Sequence, residues 1–365
     1  MAGTLVACGG SDDTPAPAVT AVKVVGDSLA DSGTFGFKFT VQGAAATGAG
    51  SATLWPEQVA ARYGQTLCPR YVATGGSFAT TAGCTNYAVL GGRINHFTAP
   101  GTPVSIVRQL QDAGAAGYAE GDLVLIDGGG NDAADLISAY LAASQDGGKA
   151  YATMLRSVLD AATVGSLLAG GATGMAQAGG AYMQELASRF AATIKAQTLD
   201  KGAPRVAVLN MPPVTLTPRF RTVLAAVAAA GGPAAATQAQ ALFDGWIQAF
   251  NTRLAAALAG DSRIAVVDFY ASFKDQVDRP AAYGYTNVTT PACPATGVDG
   301  NGLPRYDMPA CTAAALSAST PPAGATGGAD WWKSYSFSDG FHPTPLGHQL
   351  MAQLVQRSLD QAGWR

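Results

Sequence analysis

Charged residues are scarce in this sequence. Only 13% of its 365 residues are Asp, Glu, Lys or Arg, and the formal net charge is −3. No run of Lys or Arg is present, so the sequence gives no electrostatic reason to expect binding of nucleic acid. No stretch approaches the roughly 18 uninterrupted apolar residues that a membrane span needs. Because 48% of the residues are hydrophobic, the chain can bury a sizeable core and is not expected to be disordered.

Cysteine is also rare, with five residues in the whole chain. Four of them form two close pairs, Cys68 with Cys84 and Cys293 with Cys311, in segments rich in Gly, Pro and Thr. This pairing favours two local disulfides, as in exported proteins, each of which would remove about 3 kcal/mol of loop entropy from the unfolded chain. The alternative is a zinc site, which would normally need CxxC-like spacing or nearby His, and the sequence has neither.

The N-terminus resembles a fragment of a lipoprotein signal. Leu5-Val6-Ala7-Cys8 is similar to the lipobox of bacterial lipoproteins, in which the Cys becomes the lipidated first residue. The charged start and most of the apolar region of a signal peptide are missing, so we expect residues 1–19 to be a truncated signal remnant and a flexible linker. The alternative is a chance cysteine in a disordered tail. We therefore expect an exported bacterial protein, either an outer-membrane lipoprotein anchored through Cys8 or a periplasmic or extracellular protein.

Short β-branched runs predict the strands of a parallel sheet, because they are apolar on both faces and are followed by Gly, Asn, Asp or Pro. Four runs fit this pattern and a fifth fits it weakly: 21–25, 122–127, 205–210 and 263–268, then 86–89. Helical patterns lie between them, over 54–63, 105–113, 132–144, 150–168, 182–197, 237–258 and 345–362. This alternation predicts an α/β fold, a three-layer α/β/α sandwich around a central parallel sheet of about five strands.

Two segments do not follow this alternation. Glycines over 170–180 predict a flexible joint or a loose loop between two helices, but no second set of strands is present. We therefore expect one domain over 20–365. Residues 283–332 lack periodicity and are rich in Pro, Thr, Gly and Ala. A loop of this length inside a compact domain is usually functional, disordered or cross-linked, and here the pair Cys293 and Cys311 supplies a cross-link to the predicted insertion.

A serine, a histidine and an aspartate are the candidate catalytic residues. The sequence has only three histidines. One of them, His342, follows Asp339 by three residues in Phe-Ser-Asp-Gly-Phe-His-Pro-Thr. Ser28 follows the first predicted strand, where open α/β sheets place ligands. A base-assisted serine hydrolase needs such a nucleophile, imidazole and carboxylate, together with donors for the oxyanion. Structural roles are expected for His96 and His348.

Four sequence blocks together resemble the GDSL, or SGNH, hydrolase family. In chain order they are Gly26-Asp27-Ser28-Leu29, Asn86-Tyr87-Ala88-Val89-Leu90-Gly91, Gly129-Gly130-Asn131-Asp132 and Asp339-Gly340-Phe341-His342-Pro343-Thr344. The resemblance implies that Ser28 is the nucleophile, His342 the general base and Asp339 its orienting partner. It also implies an oxyanion hole made by the backbone N–H groups of Ser28 and Gly91 and by the side-chain amide of Asn131. Gly92 is adjacent, but the spacing favours Gly91.

The same resemblance implies a flavodoxin-like strand order and the hydrolysis of carboxylic esters through an acyl-Ser28 intermediate, without metal or cofactor. Within the family, the long loop with paired cysteines before His342 and the Phe-x-Asp-x-x-His-Pro-Thr ending are most similar to the secreted bacterial lipase, lysophospholipase and haemolysin branch. We therefore expect lipid or short-to-medium acyl esters as substrates, and we expect a monomeric enzyme. Polysaccharide O-deacetylation and acyl transfer are alternatives with the same residues. The non-enzymatic alternative is a catalytically dead surface-binding lipoprotein, against which the four intact blocks argue.

Several neighbouring residues are expected to support the site rather than to react. Asp27 and Asp31 are predicted to cap backbone N–H groups of the turn around Ser28. Asp132 is predicted to be the N-cap of the helix that begins there. Trp331 and Trp332 are either core residues or one wall of the acyl pocket, and their place shortly before Asp339 favours the wall.

Overall fold

The structure is a computed structural model that describes residues 18–43 and 53–364. The predicted lipidation site Cys8 and nearly all of the predicted linker lie outside the described residues. The strands are β1 (Ala21–Val25), β2 (Tyr71–Thr74), β3 (Ser77–Thr80), β4 (Asp122–Ile126), β5 (Val206–Leu209), β6 (Ile264–Val267), β7 (Asn287–Pro291), β8 (Ala295–Val298), β9 (Pro304–Tyr306) and β10 (Tyr335–Phe337). The helices are α1 (Trp55–Arg62), α2 (Ile106–Ala115), α3 (Gly130–Asp146), α4 (Lys149–Arg156), α5 (Ala161–Ala169), α6 (Gly171–Gln197), α7 (Pro218–Gly231), α8 (Pro233–Leu258), α9 (Phe269–Asp278), α10 (Ala313–Ala318) and α11 (Pro345–Gln361).

The central sheet has four parallel strands in the order β1-β4-β5-β6. All four of the well-patterned runs form these strands, as predicted. Alternate residues of each strand enter two different cores: Val124 and Ile126 pack with α2, α3, α6 and α8, whereas Leu123 and Leu125 pack with α1, α9 and α11. The predicted three-layer α/β/α sandwich is therefore confirmed.

The fifth predicted strand, 86–89, is not a strand of the sheet. Asn86 makes two parallel bridges, one to Val24 on the edge of β1 that faces away from β4 and one to Pro69. The Tyr87 and Val89 N–H groups donate to Val24 O and Gly26 O. The Asn86 side chain donates to Ala30 O and accepts from the Ala88 N–H, so the segment follows β1 into the turn after it without forming a strand of its own. If this segment is counted as the second element of the sheet in chain order, the spatial order is segment 86–89, β1, β4, β5, β6. This is the order of a flavodoxin-like sheet.

In the glycine-rich segment 170–180 the break between α5 and α6 is confined to Gly170, so the prediction of a loop over the whole segment was wrong. Residues 171–180 form the first turns of α6, which packs along α8. At Gly179 a Cβ would lie 2.3 Å from the Trp246 ring, so glycine here permits close helix packing rather than a bend. The predicted helix over 150–168 is divided into α4 and α5, and Asp160 caps α5 by accepting from the Thr163 N–H. Neither α7 nor α9 was predicted from a sequence pattern.

The predicted insertion has a small core of its own. It contains β7, which pairs in parallel with β10, the antiparallel pair β8–β9, and α10. The disulfide Cys293–Cys311 lies in a buried cluster with Trp331 and Trp332. The Trp331 Nε1–H donates to Leu316 O inside that cluster. These tryptophans are core residues of the insertion, and their prediction as a wall of the acyl pocket was wrong.

Both predicted disulfides are formed, which removes the zinc alternative. Cys68–Cys84 encloses the β2–β3 hairpin and Cys293–Cys311 closes the insertion. Disulfides persist in oxidising compartments, so they indicate a periplasmic or extracellular protein. In the part of the chain that the structure describes, no helix has both the length and the apolar character that crossing a bilayer requires.

Candidate active site

The candidate residues come from turns that follow three different strands. Ser28 lies in the turn after β1, Asn131 lies in the first turn of α3 after β4, and the loop after β10 carries Asp339 and His342. The turn from β4 into α3 needs glycine, because Gly129 has φ +99° and a Cβ there would lie 2.5 Å from the Met211 methyl group. Parallel strands end at the same edge of the sheet, which brings the first two turns together.

Ser28, His342 and Asp339 form one buried hydrogen-bonded chain. The His342 Nε2 lies 2.7 Å from Ser28 Oγ, and His342 Nδ1 lies 2.7 Å from Asp339 Oδ2. With Nδ1–H donating to the carboxylate, Nε2 is left to accept the proton of the serine hydroxyl. Burial alone would raise the pKa of Asp339, but the His342 ring and the N–H groups of Phe341 and His342 hold that pKa below its ordinary value.

Donors for an oxyanion lie beside this chain. The Asn131 Nδ2 donates to Gly92 O over 3.1 Å and to Asp27 Oδ2 over 3.5 Å, and these two contacts fix the amide. The second contact is longer than an ordinary N–H···O bond, so this N–H is only weakly engaged. The Gly92 N–H is engaged, because it donates to Val89 O. By contrast, the N–H groups of Ser28 and Gly91 donate to no acceptor within residues 18–43 and 53–364. The geometry thus favours Gly91 over Gly92 as the free donor.

The glycine pair also explains how the second block approaches the first. Gly91 has φ +70°, in the left-handed region that favours glycine. At Gly92 a Cβ would lie 2.7 Å from Gly26 O, so only glycine allows this backbone to touch the turn that carries Ser28. The two adjacent glycines therefore have different roles. Gly91 allows the chain to turn, and Gly92 allows the close backbone contact with the turn that carries Ser28.

Asp27 and Asp31 cap the Ser28 turn, as predicted. Asp27 Oδ1 accepts from the Leu29 N–H, and Asp31 Oδ1 accepts from the N–H groups of Gly33 and Thr34. Asp31 Oδ2 also accepts from the Leu90 N–H, which ties the turn to the block that ends in Gly91. Burial raises the pKa of both carboxyls.

Asp132 is structural but is not the predicted N-cap. The N-cap of α3 is Gly129, and the Asp132 carboxylate instead accepts from the N–H groups of Ile94 and Asn95. The helix begins two residues earlier than expected, so this side chain points from the first turn to the loop that follows Gly92. Burial raises the pKa of Asp132 to about 7.

Sequence reasoning missed Asp127. This residue follows β4, it is fully buried, and its Oδ1 accepts from the Asp27 N–H over 3.0 Å. A Cβ on Gly26 would lie 1.7 Å from the same oxygen, so Gly26 leaves room for this carboxyl. Burial, and then the neighbouring Asp27, raise the pKa of Asp127 well above its ordinary value. Its position at the carboxyl end of a buried strand beside β1 was the signal that could have identified it.

The two remaining histidines have structural contacts. His348 is fully buried on α11, where Nδ1 accepts from the Trp55 N–H over 3.4 Å, and burial lowers its pKa to about 3. His96 Nδ1 accepts from the Ala99 N–H in a surface loop. Both observations agree with the prediction that neither histidine takes part in proton transfer.

A groove of about 470 Å³ opens next to the loop that carries the imidazole. Its floor is the segment from Asp339 to His342, and its walls come from the start of α7 and from the insertion. On the other side of the imidazole, the Phe39 ring packs against the His342 ring with a centroid separation of 4.7 Å. The arrangement is therefore a hydroxyl–imidazole–carboxylate chain at one end of an open cleft.

Comparison with known proteins gives a family and matches among solved structures. No curated protein matches the chain. The crystal structure of a lipase from a goat rumen metagenome aligns with 92% of this chain and 96% of its own, at 14% identity and a TM-score of 0.40. The family model of the GDSL-like lipases and acylhydrolases matches residues 22–355, which include all four blocks. The chain belongs to the GDSL-like lipase/acylhydrolase family.

Proposed function

We propose that this protein is a serine esterase that hydrolyses carboxylic esters through an acyl-Ser28 intermediate. Family membership supports an ester hydrolase as the general activity. The observation that carries the specific assignment is the 2.7 Å separation between Ser28 Oγ and His342 Nε2, with His342 Nδ1 bonded to Asp339. A nucleophile, its base and the group that orients the base are thus in hydrogen-bond reach of one another.

In the proposed reaction Ser28 Oγ attacks the carbonyl carbon of the ester while His342 Nε2 takes the hydroxyl proton. His342 then gives this proton to the oxygen of the departing alcohol, and the acyl group stays on Ser28. A water molecule repeats the attack, with His342 again as base, and releases the carboxylic acid. Asp339 keeps the imidazole in the tautomer that leaves Nε2 unprotonated at the start.

The negative charge of each tetrahedral intermediate is proposed to be stabilised by three donors. These are the N–H groups of Ser28 and Gly91 and the amide of Asn131. Two observations support this assignment. The two backbone N–H groups make no hydrogen bond within the described residues, and Gly92 O already orients the amide. Donors that are fixed before the reaction need no reorganisation when the charge develops, which is why such sites lower the barrier.

We propose lipid or short-to-medium acyl esters as substrates, in line with the branch that the loop with paired cysteines and the Phe-x-Asp-x-x-His-Pro-Thr ending resemble. We also propose a monomeric enzyme. The proposed location is outside the cytoplasm, with Cys8 as a candidate lipid anchor. The two disulfides support export. The apolar residues Phe39 and Phe341 beside His342 suit an acyl substrate, since both rings contact the imidazole.

Replacing the nucleophile tests the proposal directly. We expect Ser28→Ala to lower kcat for p-nitrophenyl butyrate by about 10⁴-fold or more, because the residual rate of a serine hydrolase without its nucleophile comes only from binding and the oxyanion hole. The matched control is Ser32→Ala in the same turn, since Ser32 Oγ has no hydrogen-bond partner among the described residues. This control should keep the wild-type rate.

Other outcomes would redirect the proposal. Equal rates for Ser28→Ala and wild type would remove Ser28 as the nucleophile. A protein that neither reacts with an organophosphonate nor hydrolyses any ester would instead be a binding lipoprotein. Faster product formation with an added alcohol or sugar than with water would identify acyl transfer, and release of acetate from an acetylated polysaccharide alone would identify a deacetylase.

A further inference from the structure

The groove beside the catalytic loop is built from three separate parts of the chain. One wall is the first turn of α7, which includes Arg219 and Arg221. The facing wall belongs to the insertion, with residues 289–291 of β7 and residues 303–306 that include β9. Asp339, Gly340, Phe341 and His342 also line the groove, so the groove lies directly beside the imidazole residue.

The charge in this groove is positive and unpaired. Arg219 is half-buried, and its backbone N–H donates to Gly340 O over 2.7 Å, which holds it against the catalytic loop. Within residues 18–43 and 53–364, its guanidinium makes no hydrogen bond and no ion pair. Arg221 is exposed, and only its Nε is engaged, by Leu216 O. A guanidinium without an anion partner has donors to offer to a ligand.

The carboxylates near the groove do not satisfy these arginines. Asp299 is half-buried, and its pKa is lowered first by the N–H groups of Leu303 and Asn301 that donate to it, and only then by Arg219 and Arg305. Asp339 is bonded to His342 and to two backbone N–H groups. Arginines therefore outnumber carboxylates here, in a protein whose formal net charge is −3.

A hydroxyl on the facing wall adds a further donor. Thr290 lines the groove, and its Oγ1 accepts from the Asn287 Nδ2, which leaves the O–H free to donate across the groove. A planar guanidinium on one side and a hydroxyl on the other suit a phosphate or carboxylate group, which accepts several hydrogen bonds at once.

The chemistry decides which half of the substrate lies in the groove. His342 Nε2 must return its proton to the oxygen of the departing alcohol, so the alcohol portion has to lie next to this imidazole. We propose that the groove binds an anionic group, a phosphate or a carboxylate, on the alcohol portion of the ester, and that Arg219 is the residue that selects for it. This inference rests on the proposed esterase function and specifies its substrate class.

Two esters that differ only in one phosphate group test the inference. The neutral ester is 1-hexanoylglycerol and the anionic ester is its 3-phosphate, both assayed on the full chain. We expect wild type to hydrolyse the phosphate with a kcat/KM about 10-fold higher than the neutral ester, the effect of one charge-assisted contact. Arg219→Gln should lower kcat/KM only for the phosphorylated ester, so that the ratio of the two kcat/KM values falls to about 1. Arg219→Lys should keep part of the preference for the phosphorylated ester.

The controls separate charge recognition from folding. Gln has a helix propensity similar to that of Arg, so Arg219→Gln preserves α7. Arg253→Gln removes the same charge from the exposed face of α8, outside the groove, and should leave the ratio at its wild-type value. Raising the NaCl concentration from 0.05 to 0.5 M should reduce the preference of wild type, because salt screens a half-exposed ion pair.

Each remaining outcome would overturn the inference. An equal kcat/KM for the two esters in wild type would do so, as would an Arg219→Gln variant that loses activity equally on both. Competitive inhibition by inorganic phosphate without a preference for the phosphorylated ester would mean that the groove binds a free anion instead. If the neutral ester is hydrolysed in a Ser28-dependent manner, such results leave the esterase function intact; if neither ester is hydrolysed, both proposals fail.

Discussion

The Asn131 amide connects the turn after β4 to the turn after β1. Its Nδ2 donates to Gly92 O over 3.1 Å and lies 3.5 Å from Asp27 Oδ2. The amide is thus held by the backbone that approaches Ser28, not by the substrate. A donor fixed in this way stabilises the transition state without first losing freedom of its own, which distinguishes it from a residue that only binds the substrate.

For this reason we expect Asn131→Ala to lower kcat for p-nitrophenyl butyrate by about 10²- to 10³-fold and to leave KM within about twofold of wild type. Steady-state kinetics give both constants. A change in KM alone, with kcat unchanged, would show that Asn131 binds the ground state and contributes nothing at the oxyanion. The melting temperature of the variant, measured in the same buffer, separates this effect from partial unfolding.

At the scale of single residues, the contact between Asp339 and His342 was predictable from local spacing, whereas the partners of Asp127 and Asp132 were not. Asp339 and His342 are three positions apart, so their contact follows from one turn of chain. Asp127 and Asp132 accept N–H groups from segments that are distant in sequence, and their partners depend on which turns the sheet brings together. No single-sequence pattern contains that information.

Among the elements, α11 meets α1 through a buried imidazole. His348 Nδ1 accepts the Trp55 N–H at the start of α1, and burial lowers the pKa of His348 to about 3. In the unfolded chain an imidazole has its ordinary pKa of about 6.5. The unfolded state therefore binds a proton that the folded state does not, and the stability contributed by neutral His348 is lost as the pH falls from about 6.5 towards 3.

Replacing this imidazole should make the protein less sensitive to acid. Between pH 6.5 and pH 4.5 we expect the free energy of unfolding of wild type to fall by about 2–3 kcal/mol more than that of His348→Gln, at about 1.4 kcal/mol per pH unit. Urea unfolding at several pH values measures the difference. His96→Gln, which removes an imidazole from a loop, is the matched control. Parallel curves for His348→Gln and wild type would contradict the assignment.

The elements that the sequence did not predict share one physical cause. The glycines of 170–180 are typical of loops, but at Gly179 the absent Cβ makes space for Trp246 of α8. Residues 86–89 were predicted as a strand, but they bond to β1 through only a few backbone groups, and the Asn86 side chain binds Ala30 O of the turn after β1. In both segments a tertiary contact overrides the local preference, whereas every residue of β4 and β5 is buried and these strands have no competing arrangement.

Across the whole molecule, the described residues bury three separate hydrophobic clusters. Two of them lie on the two faces of the central sheet, and the third is the core of the insertion around Cys293–Cys311. This third core also includes Phe39, which contacts His342, and Tyr306, which lines the groove. The insertion therefore supports the site from outside the sheet, with a small core whose stability depends on its cross-link.

We expect the double variant Cys293→Ser/Cys311→Ser to unfold in two steps. The disulfide is worth about 3 kcal/mol in loop entropy, a large share of what so small a core can supply. Fluorescence of Trp331 and Trp332 should report an early transition, while far-UV circular dichroism of the sheet and its helices should change near the wild-type temperature. Esterase activity should disappear with the first step, because Phe39 then loses its packing against the insertion.

The matched control is Cys68→Ser/Cys84→Ser, which opens the β2–β3 hairpin and leaves the insertion intact. It should not produce the early fluorescence change, because Trp331 and Trp332 are buried with the other disulfide. A single transition seen by both probes in the Cys293→Ser/Cys311→Ser variant would mean that the three cores unfold as one cooperative unit. In that case the insertion would be held by β7–β10 pairing rather than by its own core, since that pairing joins it to the strand that leads to Asp339.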